Sequence, residues 1–312
     1  MDGRLTAFAL ARGGVFTSAE ATGLGVEETA LRRARAAGDV VRVRRDAYVL
    51  GECWTDAGPE QRLAFRTRAV LRTRGEDVAS HQSALALHGL PLVDLALDVV
   101  DVLGGSTRTR SAGGLRVHPR GDVEHVVADG YRCVPVAFAL AQVVVRSGVR
   151  AGMVPVDAAL HSGRISREQL GEALGRVAGR PAQVLRAESV MARCSALSES
   201  PGETLTRLFL VDAGFVLRAQ VPVGDDDGLV GRVDLLVEDR VVVEFDGAVK
   251  YGGADGREAL VAEKRREDRL RALGYAVVRV TWADLEHPER IVARVRRALA
   301  GLSASGVATT VS

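Results

Sequence analysis

A chain of 312 residues is long enough for two or three domains with cores of their own. Its 47% hydrophobic and 26% charged residues, with no signal-peptide-like start and no apolar run of bilayer-spanning length, predict a soluble globular protein without a membrane partner. A net charge of only +2 excludes inferring nucleic-acid affinity from the total, and three scattered cysteines with no CxxC pair argue against a zinc site or disulfide framework and for a reducing cytoplasm.

Residues 1–51 predict a compact helical unit. A helix near Leu5–Ala11 is followed by Gly13-Gly14, and Thr17 with Glu20 three positions on forms a capping box that opens a second helix. Gly23 to Gly25 break the chain, a third helix runs from about Glu27 to Ala37, and Gly38 stops it. Val40 to Val49 then reads as a hairpin-like wing, which completes a winged helix-turn-helix plan. Arg32, Arg33, Arg35, Arg42, Arg44 and Arg45 face only Asp39 in charge, the local footprint expected for phosphate contacts; a solvated basic face is the alternative. Gly13-Gly14-Val15-Phe16-Thr17, Thr29-Ala30-Leu31-Arg32-Arg33 and Arg45-Asp46-Ala47-Tyr48-Val49 resemble the N-terminal domain of AbiEi-type antitoxins, and the likeness continues into Ala79 to Leu90. That resemblance implies a transcriptional autorepressor whose partners are DNA and a nucleotidyltransferase toxin.

Residues 52–195 form a mixed α/β connector that says less. A helix with Ser80 as N-cap runs to Leu90, Leu95–Leu103 alternates like a strand, and Gly104 to Ser111 is a loop carrying two arginines. Helices follow near Val136–Arg146, Pro155–His161 and Ser166–Val177. His81 and His88 stand seven apart on one helix, and without a further ligand at useful spacing they read as core or capping residues rather than a metal pair.

Composition shifts at Ser198, and residues 196–300 predict an α-β-β-β-α-β order, with 301–312 a disordered tail. The apolar faces of the strands 230–237 and 241–246 align only through a three-residue loop, Glu238-Asp239-Arg240. That register sets Asp234 opposite Glu244, with Asp246 further along the same face. Like charges facing each other destabilise a sheet, and a divalent cation would remove that cost. Asp234, Glu244 and Asp246 are therefore the expected metal ligands, for Mg²⁺ or Mn²⁺. Of the 42 basic residues only Lys250 and Lys264 are lysine, and both closely follow this strand end. A compact ammonium beside carboxylates serves water activation or phosphate neutralisation better than a guanidinium does. Lys264 borders a helical stripe of Leu260, Glu263, Glu267 and Leu270 expected to face the site, with a solvated helix held by pairs such as Lys264–Asp268 as the alternative.

Arg232 to Leu236, Val243 to Gly247, Lys250-Tyr251, Glu263 to Asp268 and Gly274-Tyr275 resemble the DUF559 family, related to Vsr-type endonucleases of the PD-(D/E)XK superfamily. The resemblance implies a restriction-endonuclease-like fold and a metal-dependent hydrolase of DNA phosphodiester bonds acting in phage defence or repair. Its catalytic residues would be Glu203, Asp234, Glu244, Asp246 and a migrated lysine, Lys264, with Lys250 on the DNA backbone. The position two after the glutamate, where the superfamily has lysine, is Asp246 here. That departure favours the competing reading, an antitoxin-like repressor with a degenerate nuclease fold; a purely structural partner of a toxin is the third.

Overall fold

The computed structural model describes residues 2–247 and 254–307 and divides the chain into two units, residues 1–194 and 195–312. Among the described residues there are fourteen helices and three β-sheets.

The first unit opens with α1 (Gly3–Leu10), capped by the Asp2 carboxylate, which accepts from Arg4 N–H at 2.8 Å. Strand β1 (Val15–Thr17) enters α2 (Ser18–Gly23) through the expected capping box. Thr17 Oγ1 accepts from Glu20 N–H at 3.3 Å, and Glu20 Oε2 accepts from Thr17 N–H at 2.8 Å. Helix α3 (Glu28–Ala37) ends at Gly38 with φ 83°, a left-handed conformation that costs glycine little. Strands β2 (Val40–Arg44) and β3 (Ala47–Leu50) pair as a hairpin whose turn holds Asp46 at φ 60°, and β1 adds to β3. Leu5, Phe16, Leu31, Val40 and Leu50 bury one core between these helices and the sheet.

Helices α4 (Gly51–Thr55) and α5 (Pro59–Thr73) lead into β4 (Val78–Ala79), α6 (His81–Leu87), β5 (Val100–Gly104), β6 (Arg110–Ala112), β7 (Leu115–Pro119), β8 (Val126–Ala128) and β9 (Tyr131–Cys133). These strands form a mixed sheet of order β6-β7-β5-β4-β9-β8. Helices α7 (Val136–Ser147), α8 (Val149–His161), α9 (Arg167–Val177) and α10 (Pro181–Arg193) complete the unit. Three sequence expectations change. The strand expected from Leu95 begins only at Val100, because Asp94 sits at φ 57° and Val99 N–H bonds Ala96 in a turn. Helix α8 starts at Val149, with Pro155 in its interior rather than at its head. Helix α10 went unseen because it buries only Ala187 and Val190 and leaves Val184 and Leu185 exposed, so its apolar periodicity is weak.

The second unit runs α11 (Pro201–Asp212), β10 (Leu217–Asp225), β11 (Gly228–Val237), β12 (Val241–Asp246), α12 (Ala254–Ala272), β13 (Ala276–Thr281), α13 (Trp282–Leu285) and α14 (Pro288–Val307). Helix α14 therefore continues into the segment expected to be a tail. The sheet order is β10-β11-β12-β13, antiparallel except for the parallel β12–β13 pair. Leu235 pairs with Val243 and Val237 with Val241, so the loop has three residues and Asp234 is in register with Glu244, as the apolar pattern required. Glu238 and Asp239 take positive φ to close it. Leu236, Val242 and Leu270 share a core cluster, which puts α12 on the sheet face that carries the carboxylates.

Candidate nucleic-acid interface and carboxylate cleft

On the first unit, α3 buries only Leu31 and presents Arg32, Arg33 and Arg35 to solvent. On the wing, Arg42 and Arg45 are exposed, while Arg44 is half-buried. Arg42 Nε donates to Arg44 O at 3.3 Å across the hairpin end, and Arg45 Nε lies 3.5 Å from Asp46. Burial, followed by the Arg74 charge, lowers the affinity of Arg44 for its proton, and Asp77 opposes this. Helix α3 and the β2–β3 hairpin thus leave five exposed guanidiniums. Such groups can neutralise phosphates without reading bases.

In the second unit Asp234, Glu244, Asp246, Glu263, Arg266 and Arg279 line a cleft of about 340 Å³. Asp234 Oδ2 accepts from Phe245 N–H at 2.8 Å, and its carboxyl is pushed up to about 6. Burial is the main cause; the charges of Glu203 and Glu244 add to it, while the Phe245 hydrogen bond and Arg266 oppose it. Glu203 comes from the first turn of α11, where it is buried, and accepts from Gln220 Nε2 at 2.9 Å and Glu199 N–H at 3.0 Å. The sequence places Glu203 away from the apolar face, but α11 is buried all round from Gly202 to Leu208, so that distinction is lost. Gly202 makes the approach possible: a Cβ there would stand 2.1 Å from the Phe245 ring.

The lysines have another fate. Lys264 is exposed and does not line the cleft, because the stripe that faces the sheet runs Glu263, Arg266, Glu267, Leu270 and leaves Lys264 outside it. Lys250 lies outside the described residues. The cations of the cleft are arginines. Arg266 Nη2 meets Glu244 Oε1 at 2.6 Å and Arg232 O at 3.0 Å, and its guanidinium passes over Gly231, where a Cβ would lie 2.7 Å from Nε. Arg279, opposite Glu244 in the parallel register, bonds Glu263 and, at 2.8 Å, Glu267. Burial of Arg279 disfavours its charge, but those carboxylates outweigh it and raise its affinity for the proton. Gln220, Arg266 and Arg279 were missed in the sequence. Only Arg266 carried a signal, its i+3 spacing from Glu263 and i−4 spacing from Leu270.

The donor set of the cleft consists of carboxylate oxygens, the chemistry of a hard divalent cation. Among the described residues, however, Asp234, Glu244 and Asp246 do not bring three ligand atoms within 4.8 Å of one another. Holding one cation with all three would require the carboxylates to draw together.

No helix among the described residues is long and apolar enough to cross a membrane. Residues 4–51 match the family described as "Transcriptional regulator, AbiEi antitoxin", and these are the residues that carry α3 and the wing. The chain is similar to "Uncharacterized protein Rv2248" of Mycobacterium tuberculosis strain H37Rv and to "Uncharacterized protein MT2308" of strain CDC 1551, each 26% identical over 228 residues, 72% of this chain and 82% of the relative. Residues 4–51 are thus similar to the AbiEi antitoxin family of transcriptional regulators.

Proposed function

We propose that this protein is a DNA-binding regulator of the antitoxin type, which docks a winged helix formed by its first 50 residues on duplex DNA. The observation that carries the reading is the coincidence of the family match at residues 4–51 with the exposed Arg32, Arg33, Arg35, Arg42 and Arg45. Helix α3 lies in the position of a recognition helix in the element order, and the wing arginines would grip the adjoining backbone. A toxin protein is the partner class that the same likeness suggests. Replacing Arg42, Arg44 and Arg45 together by Gln should weaken binding to duplex DNA and reduce the slope of log affinity against log salt by roughly 2 to 3. Unchanged affinity and slope in a filter-binding titration at low salt would remove this assignment.

A second reading attaches to the C-terminal unit, favoured by the convergence of Glu203, Asp234 and Glu244 from three elements and the raised Asp234 carboxyl. We propose that this cleft processes phosphodiesters, with Asp234, Glu244 and Asp246 as the groups that would hold Mg²⁺ or Mn²⁺. The cation would supply charge neutralisation at the phosphate. The chain's own contribution is positional: Phe245 N–H orients Asp234, Gln220 orients Glu203, and Arg266 restrains Glu244 and offers a guanidinium to a phosphate oxygen. With DNA plus Mg²⁺ or Mn²⁺, cleavage should be lost in Glu244→Ala and retained in Lys264→Arg. Equal cleavage by Glu244→Ala, or none by the unaltered chain on supercoiled, linear and mismatched DNA, leaves the repressor reading alone.

A further inference from the structure

Within the first unit a polar cluster lies at the junction of β5, β7, α6 and α7. Asp101, at 0% side-chain exposure, is its centre. His118 Nε2 stands 2.6 Å from Asp101 Oδ1, and Gln82 Nε2 donates to Oδ2 at 2.6 Å. Arg116 Nη1 lies 3.2 Å and Arg146 Nη1 3.4 Å from the same Oδ1. His81 stacks on His118 with ring centroids 4.3 Å apart. Its backbone is held at φ 50°, in the left-handed region, with its N–H bonded to Gln142 Oε1 at 2.9 Å. A non-glycine residue persists in that conformation only where its surroundings over-determine it.

His81, Asp101 and His118 place ligand atoms within 4.8 Å of one another, which suggests a metal ion. Charge argues otherwise. Two guanidiniums already stand on the single carboxylate, and His118 Nε2, 2.6 Å from Asp101 Oδ1, turns its N–H to that acceptor and so offers a metal no lone pair. A dication would add to two fixed positive charges. A structural ion pair also needs just one cation per carboxylate, since burying each further ion carries its own desolvation penalty. The second guanidinium leaves a net positive charge. Burial in the first place, and then the Arg116 charge, weaken the hold of Arg146 on its proton, with Asp101 opposing.

The surplus faces outward. The Arg116 and Arg146 side chains are 22% and 33% exposed, whereas Asp101 is sealed. Among the described residues Arg146 bonds protein through Nη1 alone, and Arg116 through Nη1 and, to Ser111 Oγ, through Nε. Nη2 of both arginines and Nε of Arg146 therefore remain available. Exposed Thr109 adjoins the cluster through His118, its Oγ1 3.3 Å from His118 Nδ1. We propose that Arg116 and Arg146, seated on Asp101, form a binding site for a phosphate group, separate from the basic α3 and the β2–β3 hairpin. Planar guanidinium forks match phosphate oxygens, and Asp101 with His118 preorganises them. The phosphate comes either from a nucleic-acid backbone or from the free ion.

Calorimetric titration of the full chain separates these sources, using inorganic phosphate against chloride at equal ionic strength, and a short oligothymidylate without terminal phosphates. Inorganic phosphate, the oligothymidylate or both should bind, and Arg116→Gln and Arg146→Gln should each weaken that binding about tenfold or more. Replacing Arg42, Arg44 and Arg45 should leave inorganic phosphate binding unchanged, which distinguishes this site from the DNA-docking reading. Response to the strand alone identifies the backbone as the source, provided Arg146→Gln reduces it. Binding of neither probe, or binding unaffected by both arginine changes, overturns the proposal, as does stoichiometric Zn²⁺ uptake without phosphate binding. If Arg146→Gln does not fold, Arg146→Lys keeps the charge but loses the fork and should still weaken binding. In the unaltered chain the bound probe must also shift the His118 ring resonances, and their constancy refutes the site.

Discussion

Asp234 shows how one residue carries opposing demands. Its carboxylate is needed by Phe245 N–H, yet burial and two neighbouring acids disfavour its charge. Folded, it titrates near 6 against an ordinary 3.8, so the folded state binds the proton more tightly than the unfolded chain does. Stability should therefore rise as pH falls from above 6 towards 4, and the ionised group is a liability at neutral pH. Asp234→Asn keeps an acceptor for Phe245 N–H and removes that liability. Denaturant midpoints at pH 7.5 should be higher in Asp234→Asn than in the parent, with the difference shrinking by pH 4.5. A difference independent of pH would show that the environment of Asp234 is not as described. Gly202 is the complementary case. Adding a Cβ 2.1 Å from the Phe245 ring forces α11 off β12, and Gly202→Ala should cost about 1–3 kcal/mol by chemical denaturation.

At the scale of elements, reading and structure agree where a local rule decides. The Thr17–Glu20 capping box, the stop at Gly38 and the three-residue loop before Val241 follow from side-chain acceptors, a left-handed glycine and strand alternation. Thr17→Ala should accordingly destabilise the first unit by about 1 kcal/mol, read as a shift in its urea midpoint. Disagreement appears where an element lacks a strong period or where packing overrides it. Helix α10 is mostly exposed, and Pro155 is accepted inside α8 because Ala151 to Asp157 around it are buried. On α12, Glu263, Glu267 and Leu270 turn to the sheet, Leu260 lies where side chains are not described, and Lys264 stands outside the cleft that the sequence suggests for it. A helical step of about 100° per residue separates an edge position from a facing one, and Arg266 takes the inward place.

At the scale of the molecule, each unit has a hydrophobic core of its own: Leu5, Phe16, Leu31 and Leu50 lie in the first, and Val233, Leu236, Val242 and Leu270 in the second. Expressed separately, residues 1–194 and 195–312 should each melt cooperatively, and DNA binding should stay with the first. A second unit without a thermal transition by circular dichroism, or DNA affinity found only in residues 195–312, would contradict this division of labour. The arginine bias of the chain takes on meaning at this scale too. Planar, always-charged guanidiniums occupy the β2–β3 hairpin, the carboxylate cleft and the Asp101 cluster alike, and in the last two an acid fixes their direction.

The sequence by itself determined what depends on neighbours a few residues apart: caps, stops, the hairpin register and the basic helix followed by a hairpin. It also determined that Asp234 and Glu244 share a face, because a period of two leaves no freedom once the apolar sides are matched. Only the tertiary structure decided which groups separated by long stretches of chain meet. Glu203 reaches the vicinity of Asp234 because Gly202 admits the Phe245 ring, and Arg266 reaches Glu244 because Gly231 leaves room for its guanidinium. His81 pairs with His118 rather than with His88, its neighbour on the helix, because β7 runs beside β5 and brings His118 against Asp101. Such meetings join residues from 17 positions apart (Asp101 and His118) to 43 apart (Gly202 and Phe245), and no local pattern encodes them.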